Sequence, residues 1–341
     1  MPLDPSTASG LKDALATVVV IPVTPMRPDG SPEWGTYADL IRRVVDAGIT
    51  VITPNGNTGE FYALTAAEAR QAAETAVKAA GDQAALGARA RVLAGVGHDT
   101  AGAAAAARHA GEAGAEMIMI HQPVHPYQSR EGWVGYHQAI ADAVPDLGVV
   151  LYVRDERVTG AQIAELGERC PNVIAVKYGV KDAAQFAAVA RDAGLDRFTW
   201  LAGLAEPYAP GYWAYGARGF TSGLANVSPS LSLSLLGALR AGDLPGAMEA
   251  WESIRPFEDL RAAGGAADNV SVVKEALAQL GLCGRDVRPP SRVLPDTERN
   301  MVSAILRSWS LPFADTAAGA TGAGATRSGP KEADTGMGAR P

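Results

Sequence analysis

The chain has 341 residues, of which 47% are hydrophobic and 20% charged, and its net charge is −7. This is ordinary globular composition with enough length for one large core, and its scattered basic residues under a negative sum exclude a phosphate-backbone reader. No apolar run approaches the roughly 20 residues that span a bilayer, and residues 1–10 lack the basic start and apolar stretch of a secretory signal.

Residues 1–15 read as a lead. The first apolar run, Thr17–Val23, is strand-length and closed by Pro25. It is followed by seven more short runs rich in Val, Ile and Leu: Thr50–Thr53, Arg91–Gly95, Met117–His121, Val149–Val153, Val173–Lys177, Phe198–Ala202 and Gly219–Ser222. Each ends near Gly, Pro or a polar residue, as strands do. Between them Trp34–Ala47, Ala66–Ala80, Thr100–Gly114, Glu131–Ala143 and Gln162–Cys170 carry apolar residues at three- and four-residue spacing, the mark of a helix with one buried face. Parallel strands require helical crossovers, and strands covered on both faces are apolar throughout. Eight such units over residues 16–227 predict an α/β fold, a (β/α)8 TIM barrel. The rival doubly wound sheet is disfavoured, because no Gly-x-Gly-x-x-Gly follows the first strand.

After the eighth strand the pattern turns helical, with Leu231–Ala241, Leu244–Ala262, Val270–Leu280 and Thr297–Trp309. Residues 228–311 are expected to form a helical extension whose Trp- or Leu-bearing faces can also serve oligomer contacts. Residues 312–341 are Ala, Gly, Thr and Pro with scattered charge, too poor in apolar surface to fold, and are expected to be a disordered tail. Cys170 and Cys283 are far apart and lack metal-ligand spacing, so they read as core thiols in a reducing cytoplasm.

Barrel enzymes place their chemistry on the loops after the C-terminal strand ends. Four candidates occupy those ends: Asn57-Thr58-Gly59-Glu60, His121 to Tyr127, Tyr152 and Lys177. Lys177 closes an apolar strand. By the period of two its side chain shares a face with Val173 and Ala175. If that face points inward, desolvation lowers the amine pKa and gives a neutral nucleophile. Tyr152, on the preceding strand, can relay protons. The glycines of Gly56–Glu60 let backbone N–H groups approach a carboxylate, with the Thr58 hydroxyl as a further donor.

Taken together, Pro22-Val23-Thr24-Pro25 with Asp29-Gly30, Gly56-Asn57-Thr58-Gly59-Glu60, Ala94-Gly95-Val96-Gly97, Tyr152, Val176-Lys177, Gly203 and Gly219-Phe220-Thr221-Ser222-Gly223 with Asn226 and Pro229 follow one order. Over residues 16–310 the sequence resembles the dihydrodipicolinate synthase and N-acetylneuraminate lyase family of class I aldolases. The resemblance implies an imine-forming Lys177, a proton-shuttling Tyr152 and a carboxylate-binding turn at Asn57, Thr58 and Gly59. It further implies that Gly203 and Ser222 line the pocket, and that Arg157 helps hold a second substrate's carboxylate. It implies no metal and no cofactor beyond the covalent lysine imine, a small 2-oxo acid as partner, and a homotetramer or homodimer.

The sequence also departs from the family. Asn57 stands where the synthases carry a threonine, and His125 where they carry a tyrosine that reaches into the neighbouring subunit, so two hydroxyls of the synthase relay are absent. Thr58-Gly59-Glu60-Phe61, Tyr152-x-Arg154-Asp155, Ser271-Val272-Val273-Lys274 and Val287-Arg288-Pro289-Pro290 are more similar to the 5-dehydro-4-deoxyglucarate dehydratase branch. That branch, however, has glycine in place of Asn57 and commonly Asp in place of Tyr178. His121, His125 and Arg154 are candidates for a polar rim around an acidic or hydroxylated substrate, with His98 at the same mouth. Three functions stay open: an aldolase or dehydratase acting on a 2-oxo sugar acid or related 2-oxo acid, a 4-hydroxy-tetrahydrodipicolinate synthase, and a non-catalytic barrel that binds a small acid.

Overall fold

The computed structural model describes residues 2–84, 87 and 90–311; the tail expected over 312–341 lies outside the described residues. In chain order the elements are α1 (Pro5–Leu15), β1 (Val18–Val20), α2 (Trp34–Asp46), β2 (Val51–Ile52), α3 (Ala66–Ala84), β3 (Arg91–Val96), α4 (Thr100–Ala113), β4 (Met117–Ile120), α5 (Arg130–Asp142) and β5 (Gly148–Val153). There follow α6 (Gly160–Arg169), β6 (Val173–Tyr178), α7 (Ala183–Ala193), β7 (Thr199–Ala202), α8 (Ala209–Ala214), β8 (Gly219–Ser222), α9 (Pro229–Ala241), α10 (Leu244–Ala266), α11 (Asn269–Gln279) and α12 (Asp296–Ser308). The eight parallel strands close into a barrel, with β8 pairing back onto β1. The fold is the expected (β/α)8 barrel.

Local chemistry sets the helix starts. Asp99 caps α4 through the Gly102 amide, Asp182 caps α7 through Ala184 and Gln185, and Thr159 with Gln162 forms a reciprocal capping box on α6. Each cap satisfies amides that the first turn leaves without helical partners. Among the described residues no helix is long and apolar enough to cross a membrane.

Two layers of core result. Outward strand residues such as Val20, Ile52, Ile118 and Val176 pack under the helices. Val19, Val51, Leu93, Met119, Val150, Ala175 and Leu201 fill the barrel interior. The lead turns out to be structured. Asp4 caps α1 by accepting from the Ser6 and Thr7 amides, and Leu11 and Leu15 join the interior cluster, so α1 plugs the barrel beneath β6 and β7.

One expectation about facing is overturned. The β5–β6 register slips between Val149 and Val150, so Val149 pairs with Val173 but Val150 pairs with Ala175. The extra residue breaks the alternation of faces. Val173 therefore packs outward with the helices, while Ala175 stays in the interior below Lys177.

Candidate active site

Tyr152 and Lys177 are direct cross-strand partners near the C-terminal ends of β5 and β6. The Lys177 side chain is almost wholly buried, at 1% exposure, and its Nζ sits 3.9 Å from the centroid of the Tyr152 ring. Burial is the main force on its proton, and the Arg154 charge adds to it; together they lower the Lys177 pKa from 10.5 to about 7. Burial raises the Tyr152 pKa, against smaller opposing effects from Arg154 and Asn57, so the phenol keeps its proton.

The Gly56–Glu60 turn forms the facing wall. Asn57 donates from Nδ2 to the Tyr152 hydroxyl at 3.4 Å, and among the described residues its own buried Oδ1 has no partner. Glycine is required at Gly56 and Gly59, where a Cβ would meet Ile21 Cγ2 at 2.5 Å and the Pro22 carbonyl at 2.9 Å. At Gly203 a Cβ would meet the Tyr178 carbonyl at 2.7 Å and Lys177 Cγ at 3.0 Å, so this glycine makes room for the lysine stem. Glu60 adopts a left-handed conformation at φ 60°. Its carboxylate pairs with buried Lys274 and accepts from the Arg288 amide at 2.8 Å. The Ser271–Lys274 and Val287–Pro290 motifs thus anchor the turn from α11 and the segment that follows it.

A cavity of about 450 Å³ opens over the lysine. Of the residues singled out in the sequence, Asn57, Thr58, Tyr152, Arg154, Lys177 and Gly203 line it. Other candidates lie elsewhere. Ser222 is fully buried behind the wall, its Oγ donating to Glu206 Oε1 at 2.6 Å and accepting from the Ala225 amide at 2.8 Å, while Thr221 and Gly223 face the cavity instead. Gly59 supports the turn from behind, its carbonyl accepting from Thr24 Oγ1 at 2.8 Å.

His125 and Arg157 stand together on a shallower groove that shares Arg154, Lys181 and Leu204 with the cavity but does not reach Lys177. Arg157 is exposed and forks onto Asp155 at 2.5–3.1 Å. His121 is no rim residue. It stacks on Phe61 at 4.2 Å, its Nε2 lies 2.8 Å from the Asn55 carbonyl, and burial pushes its pKa down to about 3. His98 lines a separate apolar cavity between α3 and α4.

Sequence reasoning missed the far wall. Trp251, Glu258, Arg261, Ala262, Gly265, Ala266 and Asn269, from α10 and the start of α11, complete the cavity. The signal was present in Gly264-Gly265, a doublet that interrupts a helical run. Backbone φ is positive at Gly264, Gly265 and Ala266, and the chain turns there back over the barrel mouth. Among the described residues no group of three or more His, Cys, Asp or Glu side chains could hold a metal ion.

A buried amine stacked on a phenol, at the C-terminal mouth of such a barrel, defines a lyase of the class I aldolase type. A family model described as the dihydrodipicolinate synthetase family matches residues 14–309. The chain belongs to that family. It is 32% identical over 294 residues to a probable 5-dehydro-4-deoxyglucarate dehydratase of Rhodococcus opacus, covering 85% of this chain and 93% of that one. It is 31% identical over 295 residues to a 4-hydroxy-tetrahydrodipicolinate synthase of Gluconobacter oxydans, covering 85% and 95%.

Among solved structures, a dihydrodipicolinate synthase from Bacillus clausii superposes with a TM-score of 0.83 at 38% identity, covering 88% of this chain and all of that one. A prophage protein of the family from E. coli K12, in complex with pyruvate, gives 0.77 at 25%, covering 86% and 99%.

Proposed function

We propose that Lys177 forms an imine with a small 2-oxo acid and that the enzyme then eliminates water from it. One observation carries this reading: the Lys177 amine is buried against the Tyr152 ring in a cavity large enough for substrate, with its pKa brought to about 7. A neutral amine attacks the C2 carbonyl, and loss of water from the carbinolamine leaves an iminium that draws electrons from C3. C3 then gives up a proton to form the enamine. A hydroxyl at C4 departs with a proton as water, and hydrolysis of the remaining imine frees Lys177. Tyr152, held protonated, supplies and recovers protons at the C2 oxygen. The Asn57–Thr58 turn holds the carboxylate. Arg154 lends positive charge at the mouth, where His125 and Arg157 meet incoming acid. The imine itself is the electron sink, so this route calls for no metal or separate cofactor.

Asn57 counts against the synthase reaction. An amide that donates to the Tyr152 hydroxyl cannot take up and release a proton as a threonine hydroxyl does. The dehydratase name of the Rhodococcus relative agrees with this. The second reading, 4-hydroxy-tetrahydrodipicolinate synthase, is supported by the Gluconobacter relative. The pyruvate complex of the prophage protein supports a 2-oxo acid at the site.

The test is borohydride reduction with pyruvate followed by peptide mass spectrometry. A stable adduct on Lys177, dependent on pyruvate and slowed about a hundredfold in Tyr152→Phe, is the expected result. An unmodified Lys177, or an adduct on another lysine, refutes the reading. Turnover of pyruvate with aspartate semialdehyde would move the assignment to the synthase.

A further inference from the structure

The cavity is larger than its chemistry near Lys177 needs. At roughly 30 Å³ per water-sized group, 450 Å³ holds about fifteen such groups, and pyruvate has only six non-hydrogen atoms. The surplus space is bounded by the turn between α10 and α11, and one cation dominates that wall. Arg261 is 4% exposed, and its guanidinium is fixed on three sides. Nη1 donates to Glu258 Oε1 at 2.5 Å, Nη2 to Asn269 Oδ1 at 3.0 Å, and Nε to the Asn269 carbonyl at 3.4 Å. A guanidinium has five N–H groups. Among the described residues, one on Nη1 and one on Nη2 have no assigned partner, although the group lines the cavity.

Space for the guanidinium is made by a glycine. A Cβ at Gly223 would meet Arg261 Nη2 at 2.2 Å, so the β8 loop yields to the arginine. On the other side, the left-handed backbone of Gly264, Gly265 and Ala266 turns the chain so that Asn269 reaches back to it. Non-glycine residues adopt that conformation only where the surroundings enforce it, as at Ala266. None of these contacts touches the amine or the phenol.

We infer that Arg261, with its partners Glu258 and Asn269, is the specificity residue that reads hydroxyl groups along the tail of a 2-oxo acid longer than pyruvate. The inference rests on the reading that the Lys177 cavity takes a 2-oxo acid. Glu258 largely offsets the arginine's charge, so the wall offers adjacent donors and acceptors more than a net positive field. Hydroxyls, which both donate and accept, match such a wall. A hydrocarbon tail would leave buried N–H groups without partners, and sites of this kind reject such tails.

The test uses the Lys177→Met chain, in which no imine can form, so that recognition of the tail is measured separately from catalysis. Ligand-observed NMR titration compares three six-carbon acids: 2-dehydro-3-deoxygluconate, 2-oxohexanoate and 2-oxoadipate. The hydroxylated acid should bind at least tenfold more tightly than 2-oxohexanoate. Adding Arg261→Gln should bring that ratio to about one, and adding Asn269→Ala should reduce it severalfold. The second substitution leaves the Arg261–Glu258 pair intact and serves where the first does not fold. Equal affinities, a ratio that survives both substitutions, or tighter binding of 2-oxoadipate than of the hydroxylated acid overturns the inference. Failure of borohydride trapping in the native chain would instead count against the imine alone.

Discussion

Replacing Lys177 with Met tests the physical state of the amine without any substrate. Burial lowers its pKa from 10.5 to about 7. That gap of roughly 3.5 units corresponds to about 5 kcal/mol by which the folded state disfavours the proton. The sign follows from linkage. Between pH 7 and 10.5 the unfolded chain carries the lysine proton and the folded chain does not, so native stability rises with pH. The cost is fully present below about pH 7 and is gone above pH 10.5. Methionine has no proton to lose, and the slope of about 1.4 kcal/mol per pH unit disappears with it.

Urea unfolding of both chains at pH 7.5 and 9.5 should therefore show the variant's advantage shrinking by roughly 2–3 kcal/mol as pH rises. Attraction between the ammonium and the Tyr152 face, at most about 2 kcal/mol, opposes the effect but does not reverse it. In the native chain, pyruvate trapping should climb through pH 7 and level off as the amine becomes neutral. A stability difference that does not change with pH would refute the claim that the amine is desolvated.

Two further substitutions probe the supports of the site. Gly203→Ala forces a methyl against the Tyr178 carbonyl and the Lys177 stem, and should slow borohydride labelling of Lys177 at least tenfold, as small displacements of a reacting group do; labelling at the native rate would show that the stem tolerates movement. Lys274→Met leaves the Glu60 carboxylate buried without its cation, and should cost about 3–5 kcal/mol, a fall in melting temperature on the order of 5–10 °C. Combining it with Glu60→Gln should recover part of that loss in the same thermal scan, and no recovery would mean that the pair is not what holds the turn.

The barrel was legible because each strand is covered on both faces and so is apolar throughout, which is the one pattern a parallel sheet writes plainly. Lys177 stood out for the same reason, as a lone charge at the end of Val173–Val176. What the sequence hid was direction. Nothing in the residue types of β5 and β6 announces the bulge that turns Val173 outward, and nothing in Ser222 says that its hydroxyl serves Glu206 instead of the cavity. α1 went unread because Leu11 and Leu15 acquire a purpose only once a barrel floor exists to receive them. Arg261 was hidden by distance: it is 84 residues after Lys177, on a helix that reads as a surface appendage until its chain turns at Gly264.

The C-terminal helices therefore do two jobs on one cavity. From α11, Lys274 grips Glu60 and holds the Gly56–Glu60 turn in a conformation that a free chain avoids. The segment after α11 adds Arg288, whose guanidinium bonds the Gly30 and Ala63 carbonyls and forks onto Glu68. That grip fixes the Gly56–Glu60 turn, from which Asn57 reaches the Tyr152 hydroxyl, and on the proposed reading the acid's carboxylate lies there. From α10, Arg261 lines the same cavity beside Gly223, where on the inferred reading the tail of the acid lies. The proposed imine chemistry is thus carried by barrel strands whose packing allows little change. The inferred tail-reading residue sits on a loop-bounded helix, which can vary without disturbing the pairing of Tyr152 with Lys177.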